Sequence, residues 1–245
     1  MEKQNRKLIV ECADARLNAE TTVAILRARE SRDRIYVARS VGGSIMTLQR
    51  TLKRILSEEA IPVEAWAHTT CKGMGAVFEC CRNCAPSDAV PETLLSPFAR
   101  KAFTTREQLE RLNEEVMGAA VRECADECGC VANVKTRLID LAGVEMPKEG
   151  KPMLVYSTVS PLTPEELLGP AAGRVRKAFF LQADSIDEIW DDMKFMVAEA
   201  GIREIMLAAQ SPAEQRHMRE YAERIKSEGW ANGCEAASMV VKLAA

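Results

Sequence analysis

Short apolar runs and longer segments of helical spacing alternate along the first third of the chain. Leu8 to Glu11 reads as a buried strand that stops at Cys12. Asn18 to Ala28 carries helix formers, with Val23, Ile25 and Leu26 as its apolar contacts. Arg34-Ile-Tyr-Val-Ala38 is β-branched and aromatic, which predicts a second strand. It ends at Arg39-Ser-Val-Gly42-Gly43, where two glycines allow a tight turn or a close backbone approach. From Ser44 to Glu59 the apolar residues Ile45, Leu48, Leu52, Ile55 and Leu56 recur at helical spacing. Pro62 to Ala67 is a third strand that runs into His68, and Gly73 to Cys81 is the next helix. This alternation predicts an α/β fold with a mostly parallel β-sheet flanked by helices.

The pattern is coarser further on. Asp88 to Lys101 is Pro-rich and reads as irregular. Thr104 and Thr105 followed by Glu107-Gln108 mark a helix start, and helical spacing runs from about Arg106 to Leu141 with Gly129 as a point of interruption. Lys151 to Val159 reads as a fourth core strand. Pro161-Leu-Thr-Pro-Glu-Glu-Leu-Leu-Gly-Pro170 punctuates the chain and divides it into residues 1–160 and a C-terminal extension, 161–245. In the extension, Val175–Gln182 and Glu204–Ala209 read as strands and Ile186–Ala200 and Pro212–Ser227 as helices, a βαβα unit. The last ten residues, Ala236–Ala245, read as a terminal strand or helix.

Composition narrows the function classes. The formal net charge of −3 excludes the basic footprint of a nucleic-acid-binding surface, and no partner of that kind is expected. No apolar run is long enough to span a membrane. Met1 to Lys7 passes straight into the first strand without an apolar leader, so a cytoplasmic protein is expected. Nine cysteines, an odd number, do not fit a disulfide framework in that setting, which leaves metal binding, redox chemistry or plain burial.

Candidate chemistry gathers at the predicted strand ends. Ligands of parallel sheets sit beyond the carboxyl ends of the strands. Cys12 follows strand one, and His68 and Cys71 follow strand three. Two thiolates and one imidazole suit zinc in a tetrahedral site that keeps a fourth position for water, whose pKa falls to roughly 7 there. Asp14 can accept a hydrogen bond from the resulting hydroxide, and Arg16 can keep Asp14 ionised and oriented.

This arrangement resembles the β-class carbonic anhydrases. The likeness rests on Cys12-x-Asp14-x-Arg16, on Ile35-Tyr-Val-Ala-Arg39-Ser-Val-Gly42-Gly43, and on His68-x-x-Cys71 with Gly73 and Met74 just after. It is clear over about residues 7 to 80, weaker over 114–160, where a helix precedes the last core strand, and does not reach 170–245. The resemblance implies zinc on Cys12, His68 and Cys71, an Asp14–Arg16 catalytic pair, and reversible hydration of carbon dioxide to bicarbonate. It also implies a homodimer or higher homo-oligomer. Arg39, Gly42 and Gly43 would lie at the substrate pocket, in a turn that usually reads Arg-Asn-Ala-Gly and here reads Arg-Ser-Val-Gly. Lys72 replaces the usual glycine after the second cysteine ligand and also falls at the pocket. That departure keeps a related heterocumulene, carbonyl sulfide or carbon disulfide, open as substrate.

Two further cysteine groups, Cys80-Cys81-x-x-Cys84 and Cys124-x-x-x-Cys128-x-Cys130, have the makings of a second metal or redox site if they meet. They allow a third reading, a metal- or redox-sensing protein without catalysis. Burial as reduced thiols is the simpler use of them.

Overall fold

A computed structural model describes residues 5–58, 61–83, 90–130, 133–145, 159–160, 162–163, 166, 177–181, 186–209 and 211–240. Four strands, β1 (Arg6–Cys12), β2 (Arg34–Ser40), β3 (Val63–His68) and β4 (Val134–Ile139), lie parallel in the order β4-β3-β1-β2. A two-residue strand, β5 (Val159–Ser160), pairs antiparallel with the outer edge of β2. Leu8, Ile9 and Val10 are all at 0% exposure. Consecutive buried residues mean that β1 is covered on both faces, as a central parallel strand requires.

The covering elements are α1 (Asn18–Glu30), α2 (Gln49–Glu58), α3 (Lys72–Asn83), a single turn α4 (Glu92–Leu95) and the long α5 (Arg106–Glu127). α1 packs on β2, and α5 lies across β3 and β4 while touching α2 and α3. α5 starts at a reciprocal cap: Thr105 accepts from the Gln108 amide, and the Gln108 side chain returns to the Thr105 amide.

Chain order creates a crevice. From β1 the chain moves outward to β2, then crosses back to place β3 on the other side of β1. With right-handed crossovers, the connections leaving β1 and β3 part in opposite directions and open a gap beyond their carboxyl ends. Cys12 is the last residue of β1 and His68 the last of β3, so both face that gap.

The structure keeps the interruption expected at Gly129 and corrects the helical reading beyond it. α5 ends at Glu127, where Cys130 N–H reaches the Ala125 carbonyl at 2.9 Å and Gly129 N–H the Asp126 carbonyl at 3.0 Å. Gly129, at φ 69°, takes the left-handed turn that this double closure needs. Beyond it Val134-Lys-Thr-Arg-Leu-Ile139 is β4, an edge strand with one neighbour. Its exposed Lys135, Thr136 and Arg137 made a strand look like the polar side of a helix. The expected strand Lys151–Val159 falls outside the described residues except for Val159. The stretch expected to be irregular holds α4 and a 3-10 turn, Ser96–Phe98.

A second sheet, β6 (Lys177–Leu181), β7 (Glu204–Ala209) and β8 (Glu235–Val240), is parallel in the order β6-β7-β8. Between its strands run α6 (Trp190–Ala198) and α7 (Pro212–Ser227). The expected βαβα unit is thus βαβαβ, with β8 as its third strand. The unit sits against the first sheet's connections: the Ile186–Ile189 turn meets Met46–Leu48, and α6 meets the Val41–Gly43 turn. Glu188 accepts from the Arg50 amide at 2.9 Å and from the Thr51 hydroxyl at 2.8 Å, capping the start of α2. Among the described residues no helix is long and apolar enough to cross a membrane.

Candidate metal centre

The crevice brings Cys12, His68 and Cys71 together. Their ligand atoms all lie within 4.8 Å of one another, and all three residues are buried. Cys12 Sγ and Cys71 Sγ stand 3.8 Å apart. Two sulfurs on one tetrahedral ion at about 2.3 Å each would be separated by about 3.8 Å. His68 Nδ1–H donates to the Thr69 carbonyl at 2.8 Å, which leaves Nε2 as the nitrogen that a metal ion would take once it gives up its proton. That Nε2 is buried and has no hydrogen-bond partner. A buried nitrogen without a hydrogen-bond partner beside two sulfurs at this spacing is a donor set that suits a metal ion, so the trio fits one.

Local structure explains the approach. His68 is held by the β3 ladder, and Thr70 then takes φ 56°, a costly conformation for a β-branched residue. The bend lets Cys71 sit directly at the start of α3, whose first intrahelical bond is Gly75 N–H to the Cys71 carbonyl at 2.9 Å. Met74 N–H, in the first turn of α3, donates to the Cys71 sulfur. Hydrogen bonding from the Cys12 thiol, the His68 cation and this amide outweigh burial and hold Cys71 well below the usual thiol range. Cys12 keeps the shared proton, since its bond to Cys71 and its burial both favour the neutral thiol. Burial opposes charge on His68, but the Cys71 thiolate and Asp14 outweigh it and raise the imidazole to about 9. These opposite shifts favour a thiolate–imidazolium pair between Cys71 and His68. A metal ion would displace those protons.

Asp14 and Arg16 stand beside this group. Arg16 donates to Asp14 through its backbone N at 2.9 Å, Nε at 3.0 Å and a terminal nitrogen at 2.7 Å. The same guanidinium reaches the Thr70 hydroxyl at 2.8 Å and the Thr70 carbonyl at 2.9 Å. Arg16 thus pins the strained residue that lies between the two ligands of the second segment. Asp14 Oδ2 is 3.9 Å from His68 Nε2, so the carboxylate faces the space the ligands enclose. Burial favours a neutral Asp14, but the Arg16 hydrogen bonds outweigh it and hold the carboxyl below its ordinary range.

The other expected pocket residues divide. Gly42 and Gly43 form the turn at the end of β2, at φ 63° and 72°. A side chain on Gly42 would lie 2.6 Å from a Leu94 methyl and 2.8 Å from that of Met74, so the site requires glycine sterically as well as conformationally. The Gly42 amide donates to the Cys12 sulfur. Arg39, expected at a substrate pocket, is fully enclosed: it pairs with Glu11 and bonds Asn18 at 2.6 Å and Thr21 at 2.7 Å. Its role in this structure is to tie β1, β2 and α1 together beneath the site. Lys72 is exposed in the first turn of α3, where it lines an open cleft with Phe78, Arg106 and Glu199.

The two further cysteine groups do not form a second site among the described residues, where the Cys12–His68–Cys71 group is the one convergent set. Cys80 and Cys81 lie within the last turns of α3, and Cys84 falls outside the described residues. Cys124, Cys128 and Cys130 instead turn their thiols to the α2 carbonyls of Gln49, Lys53 and Leu56, which welds α5 to α2. A thiol is a weak donor that a helix surface accommodates easily, so C-x-x-x-C spacing served packing.

Sequence reasoning missed the residues that clamp Cys71. Glu110 on α5 accepts from the Cys71 amide at 3.0 Å and from Arg106 Nε at 3.0 Å. Arg106 donates to the Cys71 carbonyl at 2.7 Å. Their i,i+4 spacing looked like ordinary surface pairing, and the one clue was an acid on the apolar side of α5 beside Leu109 and Asn113. Comparison with protein families and with curated proteins found no match to this chain.

Proposed function

We propose that this protein hydrates carbon dioxide reversibly, using zinc held by Cys12, His68 and Cys71. The observation that carries the reading is the juxtaposition of a three-ligand sulfur–nitrogen site with an arginine-held carboxylate 3.9 Å from the imidazole nitrogen. Zinc bound there supplies a Lewis acid that brings the pKa of water to roughly 7. The chain's own residues do the rest. Asp14 accepts a hydrogen bond from the attacking oxygen and turns its lone pair toward the carbon. Arg16 keeps Asp14 ionised and away from the ligands by four hydrogen bonds. Attack forms one C–O bond, one C=O π pair moves onto oxygen to give bicarbonate, and a proton passes to solvent.

The resemblance of Cys12-x-Asp14-x-Arg16 and His68-x-x-Cys71 to the β-class carbonic anhydrases supports the same reading, as it supports a homodimer or larger homo-oligomer. Stopped-flow hydration by the zinc-loaded chain tests it. Asp14→Asn is expected to lower kcat/KM by about a hundredfold while zinc content stays unchanged. Absence of metal-dependent hydration at every pH between about 6.5 and 9 defeats the proposal. Release of hydrogen sulfide from carbonyl sulfide or carbon disulfide, with negligible hydration, transfers the site to that substrate class.

A further inference from the structure

We infer that Asp192, on the C-terminal unit, is a positioning residue for the metal centre: it holds the Val41–Gly43 turn so that the Gly42 amide faces the Cys12 sulfur. The inference rests on the metal-site reading and is independent of which substrate the site takes. Asp192 lies in the first turn of α6 and is 1% exposed. Its Oδ2 accepts from Val41 N–H at 2.7 Å, and its Oδ1 from the Thr47 hydroxyl at 3.4 Å. Val41 is the first residue of the turn, and the next amide along, that of Gly42, donates to Cys12. The Gly42 carbonyl is held from the opposite direction by Asn113 Nδ2 at 2.9 Å. The peptide carrying the sulfur's donor is thus fixed on one side by α5 and on the other by α6.

Burying a carboxylate is unfavourable, and an apolar residue would fill the same space at lower cost, so packing alone does not account for Asp192. Its charge suits this task. The positive end of α6 supports it, and a charged acceptor holds one amide more firmly than a neutral one. Glu188 in the same unit provides the contrast. It docks the unit to the start of α2 through Arg50 and Thr51, outside the Val41–Gly43 turn. Docking and positioning therefore reside in different acids and can be separated.

The test loads the full chain with cobalt(II) and records the thiolate-to-cobalt charge-transfer band together with cobalt affinity by competition. Asp192→Ala is expected to shift the band and weaken binding about tenfold, the scale of losses around metal ligands. Asp192→Asn, whose side-chain oxygen can still accept from Val41, gives an intermediate band nearer the wild type. Glu188→Gln lowers the melting temperature and leaves the band unchanged. An Asp192→Ala band and affinity equal to wild type overturn the inference, and so does a Glu188→Gln band displaced as far as that of Asp192→Ala. If Asp192→Ala does not fold, Asp192→Asn decides alone, and an unchanged spectrum overturns the inference. A wild-type chain that takes up no cobalt removes the metal centre and this inference with it. One that binds cobalt without hydrating carbon dioxide ends the proposed function, while the band still decides the role of Asp192.

Discussion

Replacing Glu110 with alanine probes the clamp on Cys71 directly. The Cys71 backbone N–H has the Glu110 carboxylate as its acceptor, at 3.0 Å, in a residue with 0% exposure. Leaving a buried amide unsatisfied costs about 1–3 kcal/mol. The lost pair with Arg106 adds little, because the Arg106 side chain is 40% exposed and solvent screens it; an i,i+4 pair of that kind contributes about 0.3–0.5 kcal/mol. The sum, about 1.3–3.5 kcal/mol, corresponds to a fall of roughly 3–14 °C in melting temperature for a chain of this size. In the proposed zinc site Cys71 is also a ligand, so the same substitution loosens its sulfur and is expected to weaken zinc binding by about tenfold to a hundredfold. Thermal unfolding of metal-free and zinc-loaded protein, with zinc affinity from competition against a chelator, separates the two effects. The loaded protein should lose more melting temperature than the metal-free protein. Equal losses in both states, with affinity unchanged, would show that Glu110 supports the fold and has no part in shaping the metal site.

Two other perturbations follow from the same geometry. Arg39→Met removes the cation from a pair in which both side chains are 0% exposed, and stranding the Glu11 carboxylate should cost about 3–5 kcal/mol by denaturant unfolding; the double substitution Glu11→Leu/Arg39→Met should recover most of it. Zinc affinity should rise with pH up to about 9, because the proton that the Cys71 thiolate and Asp14 hold on buried His68 must leave before Nε2 can bind; the same proton lends the metal-free protein stability that is complete below about 6.5 and lost as pH passes about 9, so a chelator titration that shows no pH dependence would contradict the thiolate–imidazolium pair.

Much of this was legible along the chain because it is local. Three β-branched or apolar runs separated by helix-spaced segments specify a parallel sheet, since each strand must be buried on both faces and each connection must cross over. The candidate ligands were legible for a related reason: Cys12 and His68 close their strands, and strand ends are where parallel sheets leave room. Local pattern failed where burial was one-sided. β4 has a single neighbour and an exposed face, so Lys135, Thr136 and Arg137 masked its alternation. The place of Arg39 at a substrate pocket came from the resemblance of its turn, and Glu11, Asn18 and Thr21 enclose that side chain completely.

Residue types and their spacing by themselves determined a parallel α/β sheet and which atoms could bind a metal, since a thiol, an imidazole and a strand terminus carry those properties wherever they fold. The tertiary structure alone decided that the crossing from β2 to β3 opens its crevice between Cys12 and His68. It alone decided that Glu110 and Asp192, respectively 39 residues from Cys71 and 151 from Val41, orient the backbone around the sulfurs. The physical reason is that orienting an amide takes an acceptor in contact at hydrogen-bond distance, and contact across such separations is set by packing, which no local run of sequence encodes.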